Sequence, residues 1–123
     1  MNSSPSNKAV LEKANAAMAA GDIEEFLSFC TENTEWTYVG GKTLRGKEAV
    51  RDYLKTSSDD PANFTVTHLI AESDFVVALG DITMKDDKGE MVRHSYCDVW
   101  RFRDGRMSEL KAFVIKPEAE GKD

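Results

Sequence analysis

The sequence predicts a protein of the α+β class, in which helices come first and a mostly antiparallel sheet follows. Apolar residues recur at helical spacing in the first segment, at positions 10, 11, 14, 17 and 18. From residue 64 the pattern alternates with a period of two, and tight-turn sequences separate the alternating segments. Separate runs of helices and strands are typical of α+β domains.

The first half of the chain predicts three helices. The predicted elements are helices at residues 7–20 and 46–57, a helix that begins at residue 22, and a short strand at 35–39. Gly21 suits the end of the first helix, because glycine readily adopts the left-handed backbone found there. Asp22 caps the second helix with Glu25 in capping-box position, and Cys30 is expected on its buried stripe.

The second half predicts four strands in a meander. These strands are expected at residues 64–71, 75–85, 90–103 and 106–116, after a break at Asp-Asp-Pro 59–61. Tight turns are expected at 86–89 and at Asp104-Gly105. Strands this long favour a strongly curved sheet that wraps around a helix and leaves a cleft at its open end. The rival fold, a lipocalin-like all-β barrel, does not account for the helical periodicity near the N-terminus.

Length and composition narrow the classes of function. The 123 residues predict one domain, 1–123, with flexible tails at 1–6 and 117–123. A net charge of −6 without a Lys/Arg cluster argues against binding to nucleic acid or to an anionic membrane. No apolar run approaches the roughly 20 residues of a membrane span. The first residues lack the basic and apolar parts of a signal peptide, so a cytoplasmic location is expected.

One predicted strand carries the polar groups that point to function. Within residues 94–103, a period of two places five side chains on one face: His94, Tyr96, Asp98, Trp100 and Phe102. Arg101 and Arg103 lie on the other face and favour water, so the first face is expected to be buried. Burying a carboxyl, a phenol and an imidazole costs free energy unless they are paired or used.

Five short segments occur in an order that is similar to that of a known protein family. They are GDI at 21–23, WTYVGG at 36–41, LRGKEAVR at 44–51, DVWRFRDG at 98–105 and LKA at 110–112. Together they resemble the SnoaL-like branch of the nuclear transport factor 2-like superfamily over about residues 8–116. The resemblance implies a cone-shaped α+β barrel with a deep apolar pocket. It also implies a homodimer joined through the outer face of the sheet, and no cofactor.

The family includes ketosteroid isomerases, polyketide cyclases, epoxide hydrolases and dehydratases. The isomerase reaction uses a carboxylate base on the first strand, and an oxyanion hole made of a tyrosine and a protonated aspartate. By the resemblance, Asp98 takes the place of that aspartate, while Thr37 and Ala14 take the places of the base and the tyrosine. Two of the three groups are missing, so steroid isomerisation by that mechanism is not expected.

Asp98 is the principal candidate for chemistry. Among apolar rings its pKa would rise, so that it either donates a hydrogen bond when neutral or acts as a base when ionised. The alternative is a structural carboxylate bonded to a backbone amide or a tyrosine. His94 and Tyr96 are further candidates for proton transfer, although a bulge would expose His94, and Tyr96 equally suits the core.

The resemblance and the strand pattern together predict the pocket wall. The expected ligand-binding residues are Met18, Trp36, Tyr38, Tyr53, His68, Trp100, Phe102, Leu110, Ala112 and Val114. His68 is included because it alternates with Val66 and Ile70, and the alternative is a satisfied core histidine. No metal site is expected, because two histidines without a nearby third ligand do not bind zinc or iron. Cys30 and Cys97 are expected as reduced residues, with a disulfide or a reactive thiol as the alternative.

Two functions fit these observations. The first is a non-catalytic module that binds a small, mostly apolar molecule or pairs with another protein through the sheet, which the missing base and tyrosine favour. The second is an acid–base enzyme, of isomerase, cyclase, dehydratase or hydrolase type, acting through Asp98 on a small carbonyl or hydroxyl compound. The polar groups on the expected inner face favour the second function.

Overall fold

The computed structural model describes residues 6–56 and 63–116, and within them it confirms the α+β class. The described helices are α1 (Asn7–Ala19), α2 (Ile23–Leu27) and α3 (Lys47–Thr56). The described strands are β1 (Cys30–Tyr38), β2 (Thr43–Arg45), β3 (Phe64–Glu72), β4 (Phe75–Lys85), β5 (Met91–Arg103) and β6 (Arg106–Ile115). The expected tails, apart from Ser6, and the expected break at 59–61 fall outside the described residues.

The first two helices begin with side-chain caps. Ser6 Oγ accepts a hydrogen bond from the Ala9 N–H at 3.1 Å, at the start of α1. Asp22 Oδ1 accepts one from the Glu25 N–H, also at 3.1 Å, at the start of α2. Between them Gly21 has a φ of +79°, a left-handed conformation that glycine adopts without strain. The chain therefore changes direction where the sequence predicts it.

The first half of the chain differs from the prediction in three details. Helix α2 ends at Leu27, and Cys30 is the first residue of β1, where it pairs with Met107 of β6. The apolar spacing from residue 23 to residue 30 fits a helix, but pairing with a distant strand extends β1 instead. Strand β2 was missed because three residues are too few for a period to register. Helix α3 follows β1 and β2, so two of the helices precede the sheet.

The described strands form one mixed, mostly antiparallel sheet with the order β2-β1-β6-β5-β4-β3. Strands β3 to β6 form the expected antiparallel meander. Strand β1 pairs in parallel with β6, which places Trp36 beside Leu110. This pairing closes the sheet between segments far apart in sequence, and it brings the aromatic residues of β1 next to those of β5.

The core lies between α1 and the inner face of this sheet. The rings of Phe26, Trp36 and Trp100 contact one another edge to face, with centroids 5.6–6.3 Å apart. Helix α1 packs on β3, β4 and β6 through an apolar stripe: Val10, Leu11, Ala14, Ala17 and Met18. Among residues 6–56 and 63–116, the helices lack the combined length and hydropathy that a membrane span requires.

Candidate functional site

The inner face of the sheet and the three helices border a cavity of about 240 Å³. Its walls are mostly apolar and aromatic. The lining residues are Asn15, Met18, Phe26, Trp36, Tyr38, Tyr53, Leu54, Phe64, Ala78, Ile82, Met84, Tyr96, Asp98, Trp100, Leu110, Ala112 and Val114. A mostly apolar pocket with few polar groups is the usual form of a small-molecule site.

Asp98 lies in the wall formed by the middle of the sheet. Its partner on β4 is Ala78, and its partner on β6 is Ala112. Residues directly opposite each other in a sheet place their side chains on the same face. Two alanines therefore flank the carboxyl, and their small volume leaves open space above it. The cavity exists here because large side chains are absent on both sides of Asp98.

The carboxyl of Asp98 has no protein partner in the part of the chain that the structure describes: no donor from 6–56 or 63–116 hydrogen-bonds it. The residue is only half-buried because it borders the cavity, but protein atoms surround the carboxyl closely. Burial raises its pKa from the ordinary value of 3.8 to about 7. Near neutral pH, Asp98 therefore exists both as a hydrogen-bond donor and as a base.

Tyr96 lines the cavity, but its hydroxyl is already engaged. Its Oη donates a hydrogen bond to the backbone oxygen of Thr65 at 3.0 Å. Gly80 makes this contact possible, because a Cβ at that position would lie 1.9 Å from the Thr65 oxygen and 2.8 Å from Tyr96 Oη. Burial, together with the negative charges of Asp98 and Asp81, raises the pKa of Tyr96 well above its usual range. Tyr96 is therefore a wall residue with a committed hydroxyl.

Two residues of the predicted inner face of β5 lie outside the cavity. His94 is buried, and its Nδ1 donates a hydrogen bond to the Val92 oxygen at 2.9 Å. Phe102 is also buried, but it packs at the far end of β5, where its N–H bonds the Asp74 oxygen at 2.8 Å. Neither residue lines the cavity. Alternation identifies the inner face of a strand, but it does not show how far the cavity extends along it.

His68 is also outside the cavity, and here the predicted face was wrong. A β-bulge between Val66 and His68 shifts the pairing of β3 with β4, and Thr67 Oγ1 bonds the Leu79 oxygen at 2.9 Å. One extra residue reverses the alternation that follows it. His68 is therefore exposed and borders a shallow groove between α1 and β3.

The remaining expected wall residues do line the cavity: Met18, Trp36, Tyr38, Tyr53, Trp100, Leu110, Ala112 and Val114. The sequence reasoning missed seven others: Asn15, Phe26, Leu54, Phe64, Ala78, Ile82 and Met84. The sequence does contain signals for some of them. Asn15 lies three residues before Met18, on the same helix face, and Ala78, Ile82 and Met84 alternate on one face of β4. Their meeting in one cavity depends on tertiary packing.

The positions compared with the isomerases supply no second acid or base. Thr37 Oγ1 lies 3.3 Å from Thr43 Oγ1 on β2, and Thr37 does not line the cavity, whereas its neighbours Trp36 and Tyr38 do. Ala14 is fully buried in the core. Within the described residues, Asp98 is the one carboxyl group that lines the cavity. One-residue acid–base chemistry, or simple hydrogen bonding, is what this arrangement permits.

Comparison with known proteins supports this fold. The SnoaL-like domain family matches residues 11–110, which is most of the chain. No curated protein sequence matches the chain. Among solved structures, an NTF2-like protein of unknown function from Cytophaga hutchinsonii ATCC 33406 has a TM-score of 0.73 at 20% identity, covering 89% of this chain and 100% of the other.

Two further structures carry functional names. A candidate ketosteroid isomerase from Kribbella flavida DSM 17836 has a TM-score of 0.76 at 19% identity, covering 95% of this chain and 82% of the other. The epoxide hydrolase/cyclase-like enzyme SalBIII of salinomycin pyran-ring formation has a TM-score of 0.75 at 20% identity, covering 88% and 89%. Likeness at this identity shows the fold alone. The family model, which matches residues 11–110, shows that the chain belongs to the SnoaL-like domain family.

Proposed function

We propose that this protein binds a small, mostly apolar molecule in the cavity, with an oxygen of that molecule hydrogen-bonded to Asp98. The observation that carries this proposal is the carboxyl of Asp98, which borders an apolar cavity and has no partner among the described residues. A buried polar group without a hydrogen bond costs free energy. A ligand oxygen would recover that cost, while its apolar frame would fill the rest of the cavity.

A titration with simple aryl ketones tests this proposal. The binding signal is the fluorescence of Trp36 and Trp100, which both line the cavity. At about pH 6 most of Asp98 is protonated and donates to a ketone oxygen. Asp98→Asn keeps a donor, so the affinity should stay within a few-fold of the unmodified protein. Asp98→Leu removes the donor and should weaken binding by about tenfold.

The outcomes of this titration distinguish the role of Asp98 from the role of the cavity. Equal affinities for the unmodified protein and Asp98→Leu would remove Asp98 from recognition. An absence of any saturable binding by small aryl ketones would count against the cavity as their site. A Met18→Leu variant serves as the matched control, since it changes an apolar wall residue and leaves the polar group intact.

Acid–base catalysis is the second candidate, and one observation favours it. Burial raises the pKa of Asp98 to about 7, which suits a group that accepts and returns protons near neutral pH. Ionised Asp98 would remove a proton from the carbon beside a carbonyl, and protonated Asp98 would return it. Two of the similar structures named above are described as a candidate ketosteroid isomerase and an epoxide hydrolase/cyclase-like enzyme, which supports this second candidate.

Proton exchange tests catalysis directly. Incubation of an aryl ketone in D₂O, followed by NMR, measures loss of the hydrogens beside the carbonyl. Catalysis predicts an exchange rate that rises with pH through about 7 and disappears in Asp98→Asn, because an amide is not a base. Exchange at the uncatalysed rate, together with saturable binding, would leave the protein as a binding module.

We also propose that the sheet curves into a cone around the cavity. Side chains from β1, β3, β4, β5 and β6 all line one cavity. Strands lie about 4.8 Å apart, so a flat sheet would spread five of them over about 19 Å. A round cavity of about 240 Å³ is only about 8 Å across. A crystal structure with a flat sheet would contradict this part of the proposal.

We also propose that the protein forms a homodimer through the outer face of the sheet. Exposed apolar residues lie there, including Ile70 and Phe113, and Phe113 belongs to the row that also contains Leu79 and Cys97. Contiguous exposed apolar surface commonly marks an interface. Light scattering should report a dimer, and Phe113→Lys should shift it to a folded monomer. Glu12→Lys, on the exposed side of α1, should stay dimeric.

A further inference from the structure

The size of the cavity limits the ligand more narrowly than its apolar character does. An apolar cavity of about 150 Å³ holds one benzene ring. The cavity described above measures about 240 Å³, which is larger by about half and fits one additional fused ring. Four fused rings would need far more space than this. The volume therefore favours a two-ring molecule over a steroid.

The walls favour a flat molecule. Trp36 and Tyr38 lie two residues apart on β1, so their rings line about 7 Å of the cavity wall. Trp36 meets Trp100 edge to face at 5.6 Å, and Tyr38 meets Tyr53 at 5.6 Å. Aromatic side chains favour offset or edge contacts with a ring that lies against them. A fused aromatic frame matches this surface better than a branched aliphatic one.

A second polar side chain lines the same cavity from the helix side, and it also borders the shallow groove between α1 and β3. Asn15 lies on α1, three residues before Met18, and both residues line the cavity. It is half-buried, and within the described residues its amide makes no hydrogen bond. The amide offers both a donor and an acceptor. Asn15 therefore provides a free polar group on the helix wall, as Asp98 does on the sheet wall.

From these three observations we propose that the ligand is a flat, fused two-ring compound with two oxygen functions, one bound by Asp98 and the other by Asn15. This rests on the proposed binding function and names its ligand class. The two residues approach from different walls, so oxygens on different rings suit them better than one shared oxygen. A hydroxyl group can donate a hydrogen bond to the Asn15 amide or accept one from it, and a carbonyl oxygen accepts a hydrogen bond from protonated Asp98.

Matched ligands test this class. The probes are α-tetralone, which has one carbonyl, a hydroxy-α-tetralone with its hydroxyl on the far ring, and progesterone as a four-ring ketone. At about pH 6 the hydroxylated tetralone should bind about tenfold more tightly than α-tetralone to the unmodified protein. Asn15→Leu should abolish that tenfold advantage, so that this variant binds the two tetralones with equal affinity. Progesterone should bind weakest.

Each outcome decides between the two proposals. Tetralone binding that depends on Asp98 but gains nothing from the hydroxyl would overturn the role of Asn15 alone. Tighter binding of progesterone would overturn the two-ring class. Failure of every ketone to bind, with no effect of Asp98→Leu, would overturn the binding function itself. If circular dichroism shows that Asn15→Leu is unstable, the comparison is repeated with Asn15→Ala. The affinities of the two tetralones for the unmodified protein are compared in either case.

Discussion

The raised pKa of Asp98 makes the stability of this protein depend on pH in a predictable direction. In the folded state burial raises this pKa from 3.8 to about 7, whereas in the unfolded chain it returns to the ordinary value. The folded state therefore keeps its proton over a pH range in which the unfolded state has lost it. The corresponding stability is fully present below pH 3.8 and is lost as the pH rises through about 7.

The magnitude follows from the same two values. The interval from 3.8 to about 7, at about 1.4 kcal/mol for each pKa unit, gives about 4 kcal/mol in total. Between about pH 5 and about pH 8.5 the change is about 3 kcal/mol, because part of it has already occurred at pH 5. This is a large share of the stability of a small domain.

Urea unfolding, followed by tryptophan fluorescence at several pH values, measures this change. Asp98→Asn has no proton to lose, so the unmodified protein should lose about 3 kcal/mol relative to this variant as the pH rises. Taking the difference removes the contribution of other titrating groups. Asp87→Asn, in the exposed turn between β4 and β5, is the matched control and should follow the unmodified protein throughout. Parallel curves for the unmodified protein and Asp98→Asn would refute the buried acid.

Three further predictions concern the wall and the core. Gly80→Ala should lower the unfolding free energy by more than about 2 kcal/mol, because its Cβ would lie 1.9 Å from the Thr65 backbone oxygen; an unchanged urea midpoint would contradict this. Tyr96→Phe should cost about 1 kcal/mol, because it removes the 3.0 Å bond to the same oxygen, and should leave ketone affinity unchanged. In a Cys97→Ser background, the fully buried Cys30, whose pKa burial raises to about 12, should react with thiol reagents at about pH 8 only after unfolding. Rapid labelling of the folded protein would exclude that burial.

Much of the fold was predictable because it depends on local patterns. The meander β3 to β6 was predicted within one or two residues at each end, since alternation and turn sequences are read from neighbouring positions. The cap at Asp22 and the turn at Gly21 are likewise local. Cys30 was assigned to a helix because its partner, Met107, lies in a distant strand that no local pattern reveals.

The candidate site was only partly predictable, and the reason is geometric. Alternation correctly places Tyr96, Asp98 and Trp100 on one face. A single bulge before His68 reversed the face of that residue, and a bulge leaves little trace in sequence. Asn15 belongs to no polar pattern in the sequence, and its proposed role arises only where α1 packs over the sheet.

The sequence by itself determined the α+β class, the family and the inner face of β5, because periodicity, caps and turns act between residues close in the chain. Tertiary structure alone decided that Ala78 and Ala112 flank Asp98, that open space lies above its carboxyl, and that no described donor reaches it. The raised pKa and the cavity both arise from the packing of distant segments. Desolvation and free volume depend on everything that surrounds a group, and no single segment of the chain contains that information.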